Sequence, residues 1–302
     1  MTYPIGYPLA SSGTRESARN SGGFLAVSPT QDLRSSSRLS VRKLADIRRR
    51  LSARDLAILA LVARFRVLSG EQLQRLFWPN GTPQTRTRLA RHGLARLSTL
   101  GVITPLARRV GGVRSGSQGL TFAVGLAGQR LLAPDASKRR ARGPYTPGER
   151  YLAHTLAVAE IYVELVEAEH AGIAELIAFE PEPACWRTYA GPYMTQLTLK
   201  PDAYLKLAVG DYEYSWLLEL DMATEALTTI ERKAHRHLDY HHSGEARRTH
   251  GVSPRVAWIA PNENRAAAIG QTLDRLPTEA ARLFAITTTS TATALLTNGA
   301  SS

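Results

Sequence analysis

Residues 196–221 read QLTLKPDAYLKLAVGDYEYSWLLELD, and this stretch sets the architecture of the second half of the chain. Gln196–Lys200 alternates polar and apolar residues, Ala203–Val209 is largely apolar, and Tyr214–Leu220 is rich in aromatic and aliphatic residues. All three patterns are typical of strands. Pro201-Asp202 separates the first two runs, so the stretch predicts neighbouring strands with acidic residues at their ends.

Three carboxylates accompany these strands. Glu219 and Asp221 are two residues apart, so on one strand both would face the same side, and Asp202 lies at the neighbouring junction. Converging carboxylates repel each other unless a cation lies between them. Mg²⁺ prefers such oxygen ligands and can orient a water toward a phosphodiester. The pattern predicts a Mg²⁺ site at Asp202, Glu219 and Asp221, with solvated strand-end carboxylates as the alternative.

The flanking sequence predicts a mixed α/β domain over residues 149–286. An amphipathic helix from Glu149 to about Ala168 precedes the strands, and a helix from Thr224 to about His242 follows them. Val256–Ala260 is typical of a buried strand and precedes a further helix. Helices alternating with strands favour an α/β sheet. Residues 287–302 are rich in Thr, Ala and Ser, and we expect them to fray.

The first half predicts a second domain over residues 45–134. Ser52, Ser69 and Thr82 each precede a helical pattern, and residues 104–124 read as two strands around a Gly- and Arg-rich turn. Three helices followed by a hairpin are typical of a winged helix-turn-helix. We expect residues 1–44 to be a disordered basic arm and residues 135–148 to be a linker.

The third helix and the wing are the predicted DNA-binding elements. No acidic residue occurs from Thr82 to Val124, whereas a solvated face or a protein-interaction module would normally mix acids with its arginines. The helix residues expected near base edges are Thr82, Gln84, Thr85, Arg86, Arg88 and Arg91. The wing residues expected at phosphates or in the minor groove are Arg108, Arg109 and Arg114.

The charge distribution points to a polyanion as partner. The chain carries 38 Lys and Arg against 26 Asp and Glu, and residues 1–150 alone hold 26 of these cations with 7 acids. Because neutralised phosphates release counterions, a basic domain of this kind favours double-stranded DNA as its partner. The sequence leaves open a homodimer.

Composition excludes several protein classes. Cys185 is the single cysteine, so a disulfide framework and a Cys-rich zinc site are ruled out. No apolar run reaches the roughly 18 residues that a membrane span requires. The first residues lack the basic and apolar regions of a secretory signal, and we expect a cytoplasmic protein.

Pro201-Asp202 and Glu219, together with Glu160 on the preceding helix, resemble the nuclease core called PD-(D/E)xK. Position 221 departs from that pattern, because it holds Asp where the core has Lys. In some members the lysine moves to the next helix, where this chain has Lys233. The resemblance implies Asp202, Glu219 and Lys233 as catalytic residues, with Glu160 as an outer Mg²⁺ ligand and Lys233 stabilising charge on the phosphate.

Roughly residues 50–285 also resemble the actinobacterial replication-relaxation family of plasmids and integrative elements. The features that carry this likeness are the basic winged helix, the helix YLAHTLAVAEIY (Tyr151–Tyr162), Pro201-Asp202-Ala203, Leu218–Asp221, Thr224, Glu225, Lys233 and Tyr240. The resemblance implies a DNA-binding protein of plasmid replication, relaxation or transfer, with plasmid replication or transfer proteins as candidate partners.

Three classes of function remain open from the sequence. The first is a DNA-binding replication or transfer factor without enzymatic activity, the second a Mg²⁺-dependent endonuclease or nickase, and the third a winged-helix transcriptional regulator. A further alternative is a relaxase-type site, with Tyr240 as nucleophile and metal at His235, His237, His241 and His242. His237 and His241 share one helix face, although such a face is more often simply exposed to solvent.

Overall fold

Helices and strands are mixed along the chain, and the predicted α+β class is confirmed by the computed structural model, which describes residues 39–106, 120–133 and 148–298. The helices are α1 (Val41–Arg49), α2 (Ala53–Phe65), α3 (Gly70–Phe77), α4 (Pro83–Thr99), α5 (Leu126–Leu132), α6 (Glu149–His170), α7 (Leu227–Ser243), α8 (Glu245–His250), α9 (Glu263–Leu273), α10 (Ala280–Leu283) and α11 (Ala292–Asn298). The strands are β1 (Val67–Ser69), β2 (Ile103–Pro105), β3 (Thr121–Val124), β4 (Glu175–Pro181), β5 (Arg187–Ala190), β6 (Gln196–Leu199), β7 (Ala203–Val209), β8 (Tyr212–Leu220), β9 (Arg255–Ala260) and β10 (Phe284–Thr288).

Side-chain caps set the starts of three helices in the front part of the chain. Ser52, Ser69 and Thr82 each accept a hydrogen bond from the backbone N–H three residues further on, which satisfies one free donor of α2, α3 and α4. Pro83 occupies the first turn of α4, where its missing N–H costs nothing. These helix starts are the ones that the capping pattern predicts.

A small antiparallel sheet completes the front part. Its strand order is β1-β3-β2, with Leu68 opposite Phe122 and Thr104 opposite Ala123. The sequence predicted two strands here. The third, β1, forms because Val67 and its neighbour Leu68 pair with β3 and are fully buried. The tip of the predicted hairpin lies outside the described residues.

A five-stranded mixed sheet forms the rear part, in the order β10-β9-β8-β7-β4. Strands β4, β7 and β8 run antiparallel, and β8, β9 and β10 run parallel, with α7 connecting β8 to β9. Parallel neighbours require such a crossover. The predicted strand at Gln196–Lys200 is observed as β6, but it pairs with β5 in a separate hairpin rather than joining the large sheet.

The front part packs against α6 of the rear part, and Ser40–Ser302 forms one compact unit. Gln72 of α3 donates 2.9 Å hydrogen bonds to the Leu156 carbonyl and to Glu160, and Arg75 bonds to Glu160 and Glu167. The α3 helix is therefore fixed to α6 by charged hydrogen bonds. None of the helices in the described ranges combines the length and apolar character that a membrane crossing requires.

Two segments differ from the predicted boundaries. Helix α1 starts at Val41, within the predicted arm 1–44, because Ser40 caps it and Ile47 is buried. The predicted frayed tail, 287–302, is corrected over α11, because Ala292 and Leu296 are fully buried. A hydrogen bond of 2.5 Å from Thr293 to Glu164 also ties α11 to α6. The predicted linker lies almost entirely outside the described residues.

Candidate functional site

Asp202 joins three elements at the start of β7. Its backbone N–H donates to the Leu218 carbonyl at 2.9 Å, and its Oδ2 accepts from the Leu220 N–H at 2.7 Å. Its Oδ1 lies 3.0 Å from Nε2 of His154 on α6. Asp202, the residue before β7, therefore connects the start of that strand with the end of its neighbour β8 and with the helix α6.

Glu219 lies near the end of β8 and points toward α7. Glu219 is only 2% exposed. Oε1 accepts from Nε2 of His237 at 2.8 Å, and Oε2 lies 3.2 Å from Nζ of Lys233. Burial by itself would raise the pKa of Glu219, but the hydrogen bond from His237 and the charge of Lys233 hold that pKa below its ordinary value. Glu219 is thus a buried carboxylate kept charged by two partners.

Lys233 connects Glu219 with a second carboxylate, that of Glu225. Its Nζ lies between Glu219 and Glu225, at 3.2 Å and 3.1 Å. Burial opposes its charge, but the carboxylates of Glu219, Asp202 and Glu225 raise its pKa above the ordinary value. Lys233 is therefore a fixed cation, and the three predicted catalytic residues Asp202, Glu219 and Lys233 lie in one cluster.

The other two predicted metal ligands are held by different elements. Asp221 follows β8, and its carboxylate bonds to Nε of Arg265 on α9, while the same guanidinium donates to the Glu225 carbonyl at 2.6 Å. Glu160 of α6 accepts from Gln72 and Arg75 of α3. Asp221 therefore faces α9, and Glu160 serves the contact between α3 and α6.

The described residues do not fit a Mg²⁺ site as they are arranged. Both oxygens of Asp202 already have partners in His154 and Leu220, Oε1 of Glu219 accepts from His237, and Oε2 of Glu219 has no hydrogen bond but lies 3.2 Å from the Lys233 ammonium. Among the described residues, no group of three or more His, Cys, Asp or Glu side chains is placed to hold a metal ion. A cation at Asp202 and Glu219 would have to displace these donors.

His154 belongs to the site, although the sequence analysis did not single it out. Burial opposes protonation of its ring, but the hydrogen bond to Asp202 and the negative charge there raise the pKa of His154 above its ordinary value. The ring also lines a small open cleft with Arg66, Tyr151 and Glu182. The sequence places His154 on α6, but the position of a residue on a helix does not show that Asp202 is its partner.

The four histidines of α7 do not form one metal site. His237 bonds to Glu219, His235 to the carbonyl of residue 231 on its own helix, His241 to Ser253, and His242 lies 3.0 Å from Glu279. Tyr240 is 4% exposed and packs against Tyr189 with ring centroids 5.5 Å apart. Burial raises the pKa of its phenol, which disfavours a phenolate nucleophile.

The predicted DNA-binding residues of α4 differ in solvent exposure and in the hydrogen bonds that their side chains form. Gln84, Arg88 and Arg91 are exposed. Thr82 caps the helix by accepting from the Thr85 N–H at 3.3 Å, and their hydroxyl oxygens lie 3.0 Å apart.

Arg86 is half-buried and donates weakly, at 3.5 Å, to the Pro79 carbonyl. The outward surface of α4 is therefore carried by Gln84, Arg88 and Arg91, together with the exposed His92. The predicted wing residues Arg108, Arg109 and Arg114 lie outside the described residues.

A comparison with protein families gives one match, to the replication-relaxation family over residues 59–256. The match covers about two thirds of the 302-residue chain and runs from α2 into β9. It includes the cluster from His154 to His237 described above. Comparisons with curated proteins and with solved structures found no match. The chain therefore belongs to the replication-relaxation family, which supports a general role in replication or relaxation.

Proposed function

We propose that this chain binds double-stranded DNA during the replication or relaxation of plasmid or other mobile DNA. The observation that carries the proposal is the outward surface of α4, where Gln84, Arg88, Arg91 and His92 are exposed and no acidic residue interrupts them. Such a surface is suited to phosphates and base edges, and it has no carboxylate that would repel a phosphate backbone.

The order of elements supports a winged helix as the DNA-binding part. The chain runs α2-β1-α3-α4-β2-β3, and the sheet order is β1-β3-β2. In a winged helix-turn-helix the third helix enters the major groove. Here α3 is covered by α6 through Gln72 and Arg75, whereas the outer face of α4 is exposed. The helix that would enter the groove is thus the uncovered one.

Titration of the full chain with a fluorescent duplex at several salt concentrations tests this proposal. Replacing Arg88 and Arg91 by Ala should reduce the slope of log K against log salt by about two and weaken binding at least tenfold, because each lost phosphate contact removes about 0.9 from the slope. The control replaces the exposed Arg247 and Arg275 by Ala, which removes the same charge from the rear part. Equal losses in both variants would contradict a specific role for α4.

Footprinting distinguishes the biological role. A replication or relaxation protein should protect a plasmid origin of replication or transfer. Protection of a promoter alone would instead support the transcriptional-regulator alternative, since a regulator acts where transcription starts. Failure of the wild-type chain to bind duplex DNA in low salt would refute the proposal as a whole.

Magnesium-dependent nicking is the second candidate function, and the grouping of Asp202, Glu219 and Lys233 favours it. The order α6-β4-β7-β8-α7-β9, with an acid at the start of β7 and another near the end of β8, supports a PD-(D/E)xK-like rear domain. Because these carboxylates already have donors, the proposed primary role of the rear domain is to hold DNA or partners rather than to cleave.

A supercoiled-plasmid assay with Mg²⁺ or Mn²⁺ decides between the two. If the rear part cleaves, Asp202→Asn should abolish nicking while Asp211→Asn, an exposed acid in the β7–β8 turn, should not. No nicking by the wild-type chain, combined with normal duplex binding, would remove the second candidate and leave the first intact.

A further inference from the structure

Helix α1 carries an unusual concentration of free positive charge. Its exposed cations are Arg42, Lys43 and Arg48, and Arg50 continues them at its C-cap. In the part of the chain that the structure describes, the side chains of these four residues form no hydrogen bond or ion pair. Arg49, in contrast, pairs with Asp46, the single acid of the helix. These four residues are called the α1 surface below.

The α1 surface is held in a fixed position and is not part of a solvated tail. Ser40 caps the helix at its start, Ile47 is 5% exposed, and α1 packs against α5. The helix dipole favours Arg48 and Arg50, which lie at the end of α1, but it disfavours Arg42 and Lys43, which lie in the first turn. Helix stability therefore gives no reason for Arg42 and Lys43, and both are free to contact an anionic partner.

The α1 surface continues the proposed DNA-binding surface of α4. Arg88, His92 and Arg96 follow each other at intervals of four residues and so form one row along α4. At the end of this row Arg96 donates to the Arg50 carbonyl at 3.4 Å and pairs with Asp55 at 2.5 Å. The C-terminal end of the α4 row thus lies beside the C-terminal end of α1.

We infer that the α1 surface is a second phosphate-contacting surface, which binds the sugar–phosphate backbone of the same duplex that α4 engages. The inference rests on the proposed DNA-binding function. A nine-residue helix is about 13 Å long, which matches about four base pairs of one strand. Lys43 and Arg50, seven residues apart, lie on one side of the helix with Arg42 next to them, and Arg48 lies on another side, so the cations can reach phosphates, whose positions are regular and independent of sequence. The α1 surface supplies affinity, and α4 reads the bases.

Duplex titration over a range of salt concentrations tests the inference on the full chain. The variant replaces Arg42, Lys43 and Arg48 by Gln, and the matched control replaces the exposed Arg232, Arg247 and Arg275 by Gln. Loss of two to three phosphate contacts should lower the salt slope by about two to three and weaken binding at least tenfold at 0.1 M salt. The loss should be the same for unrelated duplex sequences, because backbone contacts carry no sequence information.

Three outcomes separate the inference from the proposed function. Reduced slope and affinity in the α1 variant, with the control within about twofold of wild type, support it. An unchanged slope in the α1 variant, while the variant of Arg88 and Arg91 loses binding, overturns the inference and leaves the proposed function standing. A wild-type chain that does not bind duplex overturns both. Circular dichroism checks that α1 stays helical, and if it does not, Arg48→Gln alone should give about a third of the slope change.

Discussion

Replacing His237 by Ala should destabilise the protein strongly, because it removes a hydrogen-bond donor from a buried carboxylate. His237 is 2% exposed and donates to Glu219, which is equally buried. Its ring also packs against Trp258 and Phe284, with centroids 6.3 and 6.5 Å apart. The substitution therefore leaves a carboxylate short of a donor and a cavity between two aromatic rings.

The expected loss follows from these contacts. Removing one partner of a buried pair costs about 3–5 kcal/mol. Glu219 keeps Lys233 at 3.2 Å, which places the loss near the lower end of that range. Urea unfolding of His237→Ala should thus show a free energy of unfolding lower by about 3 kcal/mol. The control is His235→Ala, an exposed position on the same helix, which should change stability by less than about 0.5 kcal/mol.

A double-mutant cycle isolates the pair itself. The variants His237→Ala and Glu219→Gln, alone and combined, should show a coupling energy of about 2 kcal/mol, as contacting residues do. The pKa of Glu219 is held below its ordinary value in the folded state, so its contribution to stability is present above the ordinary Glu pKa and is lost as pH falls through the folded-state pKa. The coupling should therefore shrink in acid. Additive losses at pH 7, or equal losses for His237→Ala and His235→Ala, would refute the reasoning.

Two further predictions concern other positions. His154→Ala should lower stability mainly below the ordinary His pKa of about 6.5. Burial opposes protonation of His154, but its carboxylate partner Asp202 raises the folded-state pKa, so the contribution of His154 to stability is lost as pH rises through that raised pKa. Urea midpoints of wild type and variant at acidic and alkaline pH measure this, with the exposed His170→Ala as control. A difference between wild type and variant that grows with pH would contradict it. Gly128→Ala should lower the free energy of unfolding in urea by at least about 2 kcal/mol, because the added Cβ would lie 2.2 Å from the Val102 carbonyl oxygen. The control Gly148→Ala meets no atom within 4 Å and should be nearly neutral. Similar free energies of unfolding for both variants would refute the close approach at Gly128.

Local sequence was sufficient for the features that depend on a few neighbouring residues. The starts of α2, α3 and α4 follow from Ser52, Ser69 and Thr82, because an N-cap acts within one helical turn. The β7–β8 hairpin follows from its apolar runs, because strand periodicity is likewise local. The charge difference between the two halves is a property of composition and needs no fold.

The candidate site illustrates the limit of such local information. The residue types Asp202, Glu219 and Lys233 could be identified along the chain, and the structure places Lys233 3.2 Å from Glu219, while their catalytic role stays a prediction. The expectation that Asp221 would share a metal site with them did not anticipate Arg265, which lies 44 positions away and pairs with it. Periodicity shows which residues share a face, but not which element covers that face.

Long-range packing set the remaining partners. His237 meets Glu219, and His154 meets Asp202, because α7 and α6 cross the sheet at the ends of β8 and β7. Buried charges must find partners, and which partner is within reach depends on how helices dock on the sheet. The same holds for α11, whose short and weakly patterned sequence becomes helical against α6 through buried contacts. Capping and periodicity act over one turn or one strand, whereas the choice of ionic partner is made only when distant elements pack together.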